Sequence, residues 1–328
     1  MDWKKPLENM RAELKDYIVK SNLKSLVLGV SGGIDSALVA AIARPVCDEV
    51  GIRLIGRSLP ASSNKPDEIS RAEMVGNAFC HDFDTVHIND RVANTLSAVE
   101  RGYSLHEDEK FNKIAEGNVK ARTRMIHLYD LAYRTRGMVM STDNRDELCV
   151  GFFTIHGDQG DFGLIQYLWK TEVYDLSNWI CFNELNSEDS ISQPKFEALQ
   201  VCVDAVPTDG LGISTSDMDQ LGASSYMEVG IILKTWLTED EDSFAWDDDL
   251  KYSGRKEDYK DFMLYRDTLK EHPVIQRYIK TEFKRTGTIN LTRSQIFKEE
   301  WVEKGDLDKT CKFCFTCGHG FCADDGGG

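Results

Sequence analysis

The sequence predicts a doubly wound α/β fold, a parallel sheet with helices on both faces, and three observations predict it. Residues 26–30, Leu-Val-Leu-Gly-Val, form an apolar strand that runs into a Ser-Gly-Gly turn and then a helical pattern. Strand and helix periodicities alternate from there to residue 141, as βαβ units require, and such sheets bind ligands at the carboxyl ends of their strands. The composition, 41% hydrophobic and 29% charged over 328 residues, suits a chain with a large buried core.

Leu7, Met10, Leu14, Tyr17 and Ile18 recur at helical spacing, so residues 7–22 open the chain as an amphipathic helix. The first strand follows at Leu26. Residues 37–50 read as a helix, with Pro45 a kink or early end and Gly51 closing it before a second strand at 53–59. Helical patterns at 67–79 and 90–99 flank a short strand at 85–88. A long helix over 117–136 leads into an apolar strand at 138–141. Beyond Asn183 the pattern degrades, and residues 238–261 are strongly acidic, as in a solvated loop. Residues 274–284 are helical again. One domain over residues 1–300 is therefore expected, followed by a cysteine-rich tail over 301–328.

Thirty-nine basic against 55 acidic residues give a net charge of −16, which disfavours nucleic acid as a partner. No stretch of 18 apolar residues and no leader pattern is present, so a cytoplasmic protein with no membrane segment is expected. Five cysteines are scattered in apolar or mixed surroundings, as reduced core thiols are. The tail differs: Cys311, Cys314, Cys317 and Cys322, with His319 among them, have the short gaps that let ligands converge on Zn²⁺. An Fe–S cluster is the less favoured occupant, and fraying is the default for such a terminus.

The chemistry is concentrated in Gly29-Val30-Ser31-Gly32-Gly33-Ile34-Asp35-Ser36. A lone glycine pair would need only turn geometry to explain it. Here the glycines follow a strand and open a helix, so successive N–H groups and the positive helix end can cradle an anion. The loop is not of the Walker type, which places Lys-Ser or Lys-Thr after its last glycine. Ile34 and Asp35 stand there instead. A carboxylate beside phosphate is repulsive without an intervening cation, so Asp35 reads as a Mg²⁺ ligand.

Ser-Gly-Gly-Ile-Asp-Ser resembles the PP-loop of ATP pyrophosphatases. Four further segments make the chain similar, over about residues 5–290, to the ammonia-dependent NAD synthetases: Gly-Asn-Val-Lys-Ala-Arg-Thr-Arg-Met at 117–125, Ser-Thr-Asp-Asn-Arg-Asp-Glu at 141–147, Gly-Phe-Phe-Thr-Ile-His-Gly-Asp-Gln-Gly-Asp at 151–161, and Arg-Tyr-Ile-Lys-Thr-Glu-Phe-Lys-Arg at 277–285. The resemblance implies ATP contacts from Gly29 to Ser36 and from Ser58, Thr142, Lys170 and Thr208. It puts Mg²⁺ on Asp35 and Glu147, makes Asp35, Glu147 and Lys170 the catalytic set, and assigns deamido-NAD to Arg122, Asp161, Phe283 and Lys284. Without it, Lys120, Arg122 and Arg124 would read as a solvated basic face. The chain departs from the family at Ile155, where a lysine is usual, at Gln159-Gly160, at Phe283 in place of a histidine, and in a shortened segment between Thr208 and Leu211. His156 offers a polar contact, although a histidine beside aromatic residues usually packs.

The implied reaction is ATP-dependent amidation of deamido-NAD with ammonia, giving NAD, AMP and pyrophosphate through an adenylated nicotinate. Asp158 or Asp161 is a candidate acceptor for the ammonium proton. The resemblance further implies a homodimer, with the long helix as a candidate contact. Two other readings differ in class: a PP-loop tRNA thiolase, against which the charge argues, and a non-catalytic nucleotide-binding module.

Overall fold

The computed structural model describes residues 2–100, 109–186, 189, 191–206, 217–238 and 259–285. Its strands are β1 (Ser25–Gly29), β2 (Arg53–Ser58), β3 (Asp82–Thr85), β4 (Gly137–Ser141) and β5 (Phe162–Gly163). They pair in parallel in the order β3-β2-β1-β4-β5. β1 is central because its side chains are apolar on both faces. Leu26 and Leu28 enter the core on one side and Val27 enters the core on the other, the period-2 alternation of a strand buried twice. Full burial of each such side chain contributes about 1.5–3 kcal/mol.

One helical layer contains α1 (Lys4–Lys20), α2 (Ile34–Val50) and α3 (Pro66–Phe79), joined through Leu7, Leu14, Ile18, Leu38, Ile42 and Phe79. α2 runs through Pro45 and stops at Gly51, whose φ of 70° provides the left-handed cap. The opposite layer holds α4 (Asn89–Glu100) and α5 (Glu109–Arg134), with Val92, Met125, Leu128 and Ala132 against Val27 and Val139. After the short α6 (Arg145–Val150), α7 (Lys170–Ile180) and α8 (Ser192–Val203) return to the first layer. A separate apolar cluster joins α6 to α9 (Asp217–Leu221), α10 (Tyr226–Leu237) and α12 (Pro273–Lys280), through Val150, Leu221, Val229, Leu233, Val274 and Ile275. α11 (Tyr259–Thr268) precedes α12, and α13 (Glu282–Arg285) follows it.

Several elements differ from the sequence reading. The third strand is Asp82–Thr85, not 85–88, because Arg53 and Arg57 reach across from β2 to Asp82, each at 2.9 Å, and so accommodate an acid in a strand edge. The two residues of β5 pair with Met140 and Ser141, too short a ladder to leave a pattern. The long helix starts at Glu109 and carries Gly117 inside it. Thr281 interrupts the final helical segment. The acidic segment and the cysteine-rich tail lie outside the described residues, apart from Thr238 and the first residues of α11.

The chain winds outward from β1 in both directions, to β2 and β3 on one side and to β4 and β5 on the other. The crevice at the carboxyl ends of β1 and β4 is the topological switch point, where ligands bind in open α/β sheets. The loops after both strands open there. Among the described residues no helix is long and apolar enough to cross a membrane.

Candidate active site

Gly32 sets the shape of the loop after β1. Its φ is 81°, and a Cβ there would lie 2.2 Å from the Glu68 carbonyl oxygen, so conformation and packing both demand glycine. Hydroxyls pin the rest of the loop: Ser31 N donates to Ser36 Oγ at 3.2 Å, and Gly33 N donates to Ser31 Oγ at 3.2 Å. α2 begins directly at Ile34, three residues earlier than the sequence reading placed it, so Asp35 stands in its first turn. The amino end of a 17-residue helix therefore faces the crevice beside a carboxylate.

The loop after β4 supplies the second carboxylate through a cap. Asn144 Oδ1 accepts from Glu147 N at 3.1 Å, and Glu147 Oε2 accepts from Asn144 N at 3.3 Å, a reciprocal capping box at the start of α6. The Asn144 amide nitrogen then donates to Asp35 Oδ1 at 3.0 Å. One side chain thus fixes both acids. α7 delivers the third group: Asp146 Oδ2 accepts from Lys170 N at 2.6 Å, and Lys170 Nζ lies 2.5 Å from Asp35 Oδ2 and 3.4 Å from Glu147 Oε1.

Charge is out of balance in this cluster. Lys170 is 3% exposed; burial pulls its ammonium down, but Asp35 and Glu147 outweigh burial and hold it above its ordinary value. Burial pushes Glu147 well above the usual carboxylate range, with Asp35, Asp143 and Asp217 adding to the rise against Lys170. Asp143 is pushed up to about 7, first by burial and then by Asp158 and Asp35, and Asp146 to about 6 by burial. One lysine faces several acids, an arrangement that favours a further cation or protons.

Gly29, Val30, Ser31, Gly32, Gly33, Ile34, Asp35, Ser58, Thr142, Glu147, Lys170 and Lys284 all line one cavity of about 600 Å³, a size suited to a nucleotide. Sequence positions spread over 256 residues are brought together there. Ser36 is buried beneath the loop, where its hydroxyl donates to Gly33 O at 3.1 Å. Lys284 donates to the Gly151 carbonyl at 2.7 Å and to the Phe153 carbonyl, and burial lowers its ammonium.

Three predicted substrate residues do not line this cavity. Arg122 is exposed on α5, with Nε on the Ile155 carbonyl at 3.2 Å. Asp161 uses both carboxylate oxygens, accepting from Val139 N at 2.9 Å and from the Tyr129 hydroxyl at 3.0 Å. Phe283 is 52% exposed. Asp158, in contrast, lines the cavity, with its carboxylate on Thr154 N at 2.5 Å. His156 is exposed with φ 61°, in a turn rather than packed. Thr208 lies outside the described residues.

The basic face also divides. Lys120 is buried on Glu116 at 2.7 Å, and Arg124 turns into the cavity, with Nε on the Leu59 carbonyl and Nη2 on Asn64 Oδ1, each at 3.0 Å. Only Arg122 of the three is exposed. The sequence reading did not single out Asn144 or Arg71; an asparagine three residues before a glutamate was the available signal for the first.

At the switch point a glycine loop thus meets two carboxylates held by Asn144 and a buried lysine. The family model described as NAD synthase matches residues 7–287. The chain belongs to the NAD synthase family. The NH(3)-dependent NAD(+) synthetase of Methanosarcina mazei is 33% identical over 234 residues, covering 70% of this chain and 82% of the relative. The NMN synthetase of Francisella tularensis shares the fold with a TM-score of 0.60 and 20% identity, over 89% of this chain and 98% of that one. An NH3-dependent NAD synthetase from Campylobacter jejuni superposes with a TM-score of 0.59 and 22% identity, over 89% and 100% of the two chains.

NAD synthase family chemistry uses ATP, and the donor set here suits a hard cation. Asp35 and Glu147 offer carboxylate oxygens at the cavity wall and retain 18% and 17% side-chain exposure. Among the described residues no group of three His, Cys, Asp or Glu side chains has metal-binding geometry. Mg²⁺ does not require one, since one or two carboxylates plus substrate phosphates and water complete its octahedron.

Proposed function

We propose that this chain is a ligase that amidates deamido-NAD with ammonia at the expense of ATP, giving NAD, AMP and pyrophosphate. The observation that carries the reading is the meeting of Asp35, Glu147 and Lys170 beside the PP-loop, within the NAD synthase family. A nicotinate carboxylate oxygen attacks the α-phosphorus of ATP, the bond to the bridging oxygen breaks, and its electron pair leaves on pyrophosphate. Loop N–H groups and Lys170 stabilise the charge gathering on that leaving group. Asp35 and Glu147 would hold Mg²⁺, which when bound supplies charge neutralisation at the phosphates. Ammonia then attacks the acyl carbon and AMP departs. Positioning and electrostatics suffice, so no side-chain nucleophile is required.

Ammonium must lose a proton before it attacks, and Asp158 is the acceptor we favour of the two candidates. Burial raises its carboxyl above the ordinary value, against Thr154, Arg124 and Lys284, and it borders the cavity, whereas Asp161 is committed to Val139 and Tyr129. A homodimer across α5 would reconcile the outlying substrate residues with the cavity. Arg122, Ile126, Tyr129 and Tyr133 are all exposed and lie on one side of that helix at helical spacing, with Ile126 72% and Tyr133 87% exposed. A second subunit on this face would bring Arg122 and Asp161 to a shared substrate site. The cysteine and histidine spacing in the tail supports a separate Zn²⁺ site, which metal analysis of the purified protein tests.

The deciding assay supplies ATP, Mg²⁺ and ammonia and follows pyrophosphate. Release that depends on deamido-NAD supports the ligase. Release that depends on tRNA, or ATP binding without release, overturns it. Nicotinic acid mononucleotide belongs in the same assay, because a structural relative acts as an NMN synthetase.

A further inference from the structure

Arg71 touches the phosphate loop from outside the motif. α3 abuts the loop between Glu68 and Ala72, where a Cβ on Gly32 would lie 2.2 Å from the Glu68 carbonyl oxygen and 3.0 Å from Ala72 N. From that position Arg71 Nε donates to the Gly32 carbonyl at 2.9 Å, an oxygen also approached by Cys202 Sγ at 3.5 Å. The Arg71 side chain is 17% exposed and borders the cavity. A carbonyl oxygen in a phosphate cradle repels the ligand, so a guanidinium bound to it removes a local penalty and leaves positive charge beside the loop.

The guanidinium has donors to spare. It carries five N–H groups; Nε serves Gly32, and Nη1 serves Asp67 Oδ2 at 2.8 Å. Asp67 is 64% exposed and one helical turn away, and such a surface pair is a weak tether. Of the cations near the loop, Lys170 bridges Asp35 and Glu147 and already serves the leaving group in the proposed reaction, whereas Arg124 is held by Leu59 and Asn64 and Arg57 by Asp82. Pyrophosphate departing from ATP gains charge next to the loop and needs a donor that can move to it.

We propose that Arg71 is a further phosphate-contacting residue, which exchanges Asp67 for the terminal phosphoryl oxygens of ATP and of the leaving pyrophosphate while Nε stays on Gly32. Planar paired donors in a fixed fork suit phosphate oxygens, whereas a lysine at this position would offer one compact charge in place of that fork. The inference rests on ATP as the ligand of the cavity. It concerns the outer phosphates only, so AMP binding separates a contact from a general collapse of the loop.

Calorimetric titration of the full chain with inorganic pyrophosphate and with AMP, both with Mg²⁺ present, tests it. Arg71→Gln is expected to weaken pyrophosphate at least tenfold and AMP less than twofold. Arg71→Lys, which keeps the charge and guards against a misfolded first variant, is expected to fall between Arg71→Gln and the wild type. Asp67→Asn is expected to leave pyrophosphate unchanged or tighter. Unchanged pyrophosphate affinity in both Arg71 variants, equal losses for the two ligands, or an Asp67→Asn loss matching that of Arg71→Gln would overturn the proposal. Failure of the ligase reading would show differently, as a wild type that binds pyrophosphate yet makes no NAD from deamido-NAD.

Discussion

Lys170 Nζ lies 2.5 Å from Asp35 Oδ2 across 135 residues of sequence, so the amino ends of α2 and α7 are joined by a charge pair at the cavity wall. Breaking a buried pair by removing one member leaves the other unpaired in a poorly solvated site. Lys170→Met is expected to cost about 3 kcal/mol in urea unfolding. It is also expected to lower kcat by about a hundredfold or more, because the donor proposed for the departing pyrophosphate is lost. Retention of wild-type turnover by a folded variant would remove Lys170 from the mechanism.

Asn144 has two jobs that two substitutions separate. Asn144→Ala loses both the cap on Glu147 and the bond to Asp35, and is expected to cost about 1 kcal/mol in stability. Asn144→Asp keeps a good cap but faces Asp35 with a like charge. If holding Asp35 is what matters, the aspartate variant is the less active of the two in steady-state assays, by about tenfold, despite its better cap.

Gly32→Ala tests the loop itself. At φ 81° a side chain is strained, and here it would also collide with the Glu68 carbonyl. ATP affinity measured by titration is expected to fall by about a hundredfold, whereas Gly51→Ala, with nothing near its Cβ position, is expected to lower thermal stability slightly and leave ATP affinity intact.

Much of this was legible because strand β1, its glycine turn and Asp35 are contiguous in sequence. Glu147 and Lys170 also came from local motifs. What sequence concealed was tertiary: β3 reads Asp-Phe-Asp-Thr and forms a strand by pairing with β2, with Phe83 on the core and Arg53 and Arg57 offsetting Asp82. Arg124 looks like a surface cation until Leu59 and Asn64 are seen to hold it in the cavity. α10 follows a stretch without clear periodicity, and its Val229 and Leu233 find a core only against α6 and α12. Arg122 and Asp161 carry the reverse lesson, since motif membership brought neither into the cavity of a single chain.

Asp143 makes stability fall with rising pH. Its folded value of about 7 lies above the roughly 3.9 of an unfolded aspartate, so between these the folded state binds more protons. Its contribution is fully present below pH 4 and is lost as pH climbs through 7. Asp143→Asn is expected to flatten that slope and to raise the thermal midpoint at pH 8 by about 1–2 °C for each kcal/mol recovered. Scanning calorimetry from pH 5 to 8 measures it, and an unchanged slope would relieve Asp143 of the role.

Attack at the α-phosphorus is the central claim, and oxygen tracing reaches it most directly. Deamido-NAD carrying ¹⁸O in its nicotinate carboxylate is turned over with ATP, Mg²⁺ and ammonia, and the products are examined by mass spectrometry. The account predicts one labelled oxygen in AMP and none in pyrophosphate. Label in orthophosphate, with ADP as the nucleotide product, would contradict it.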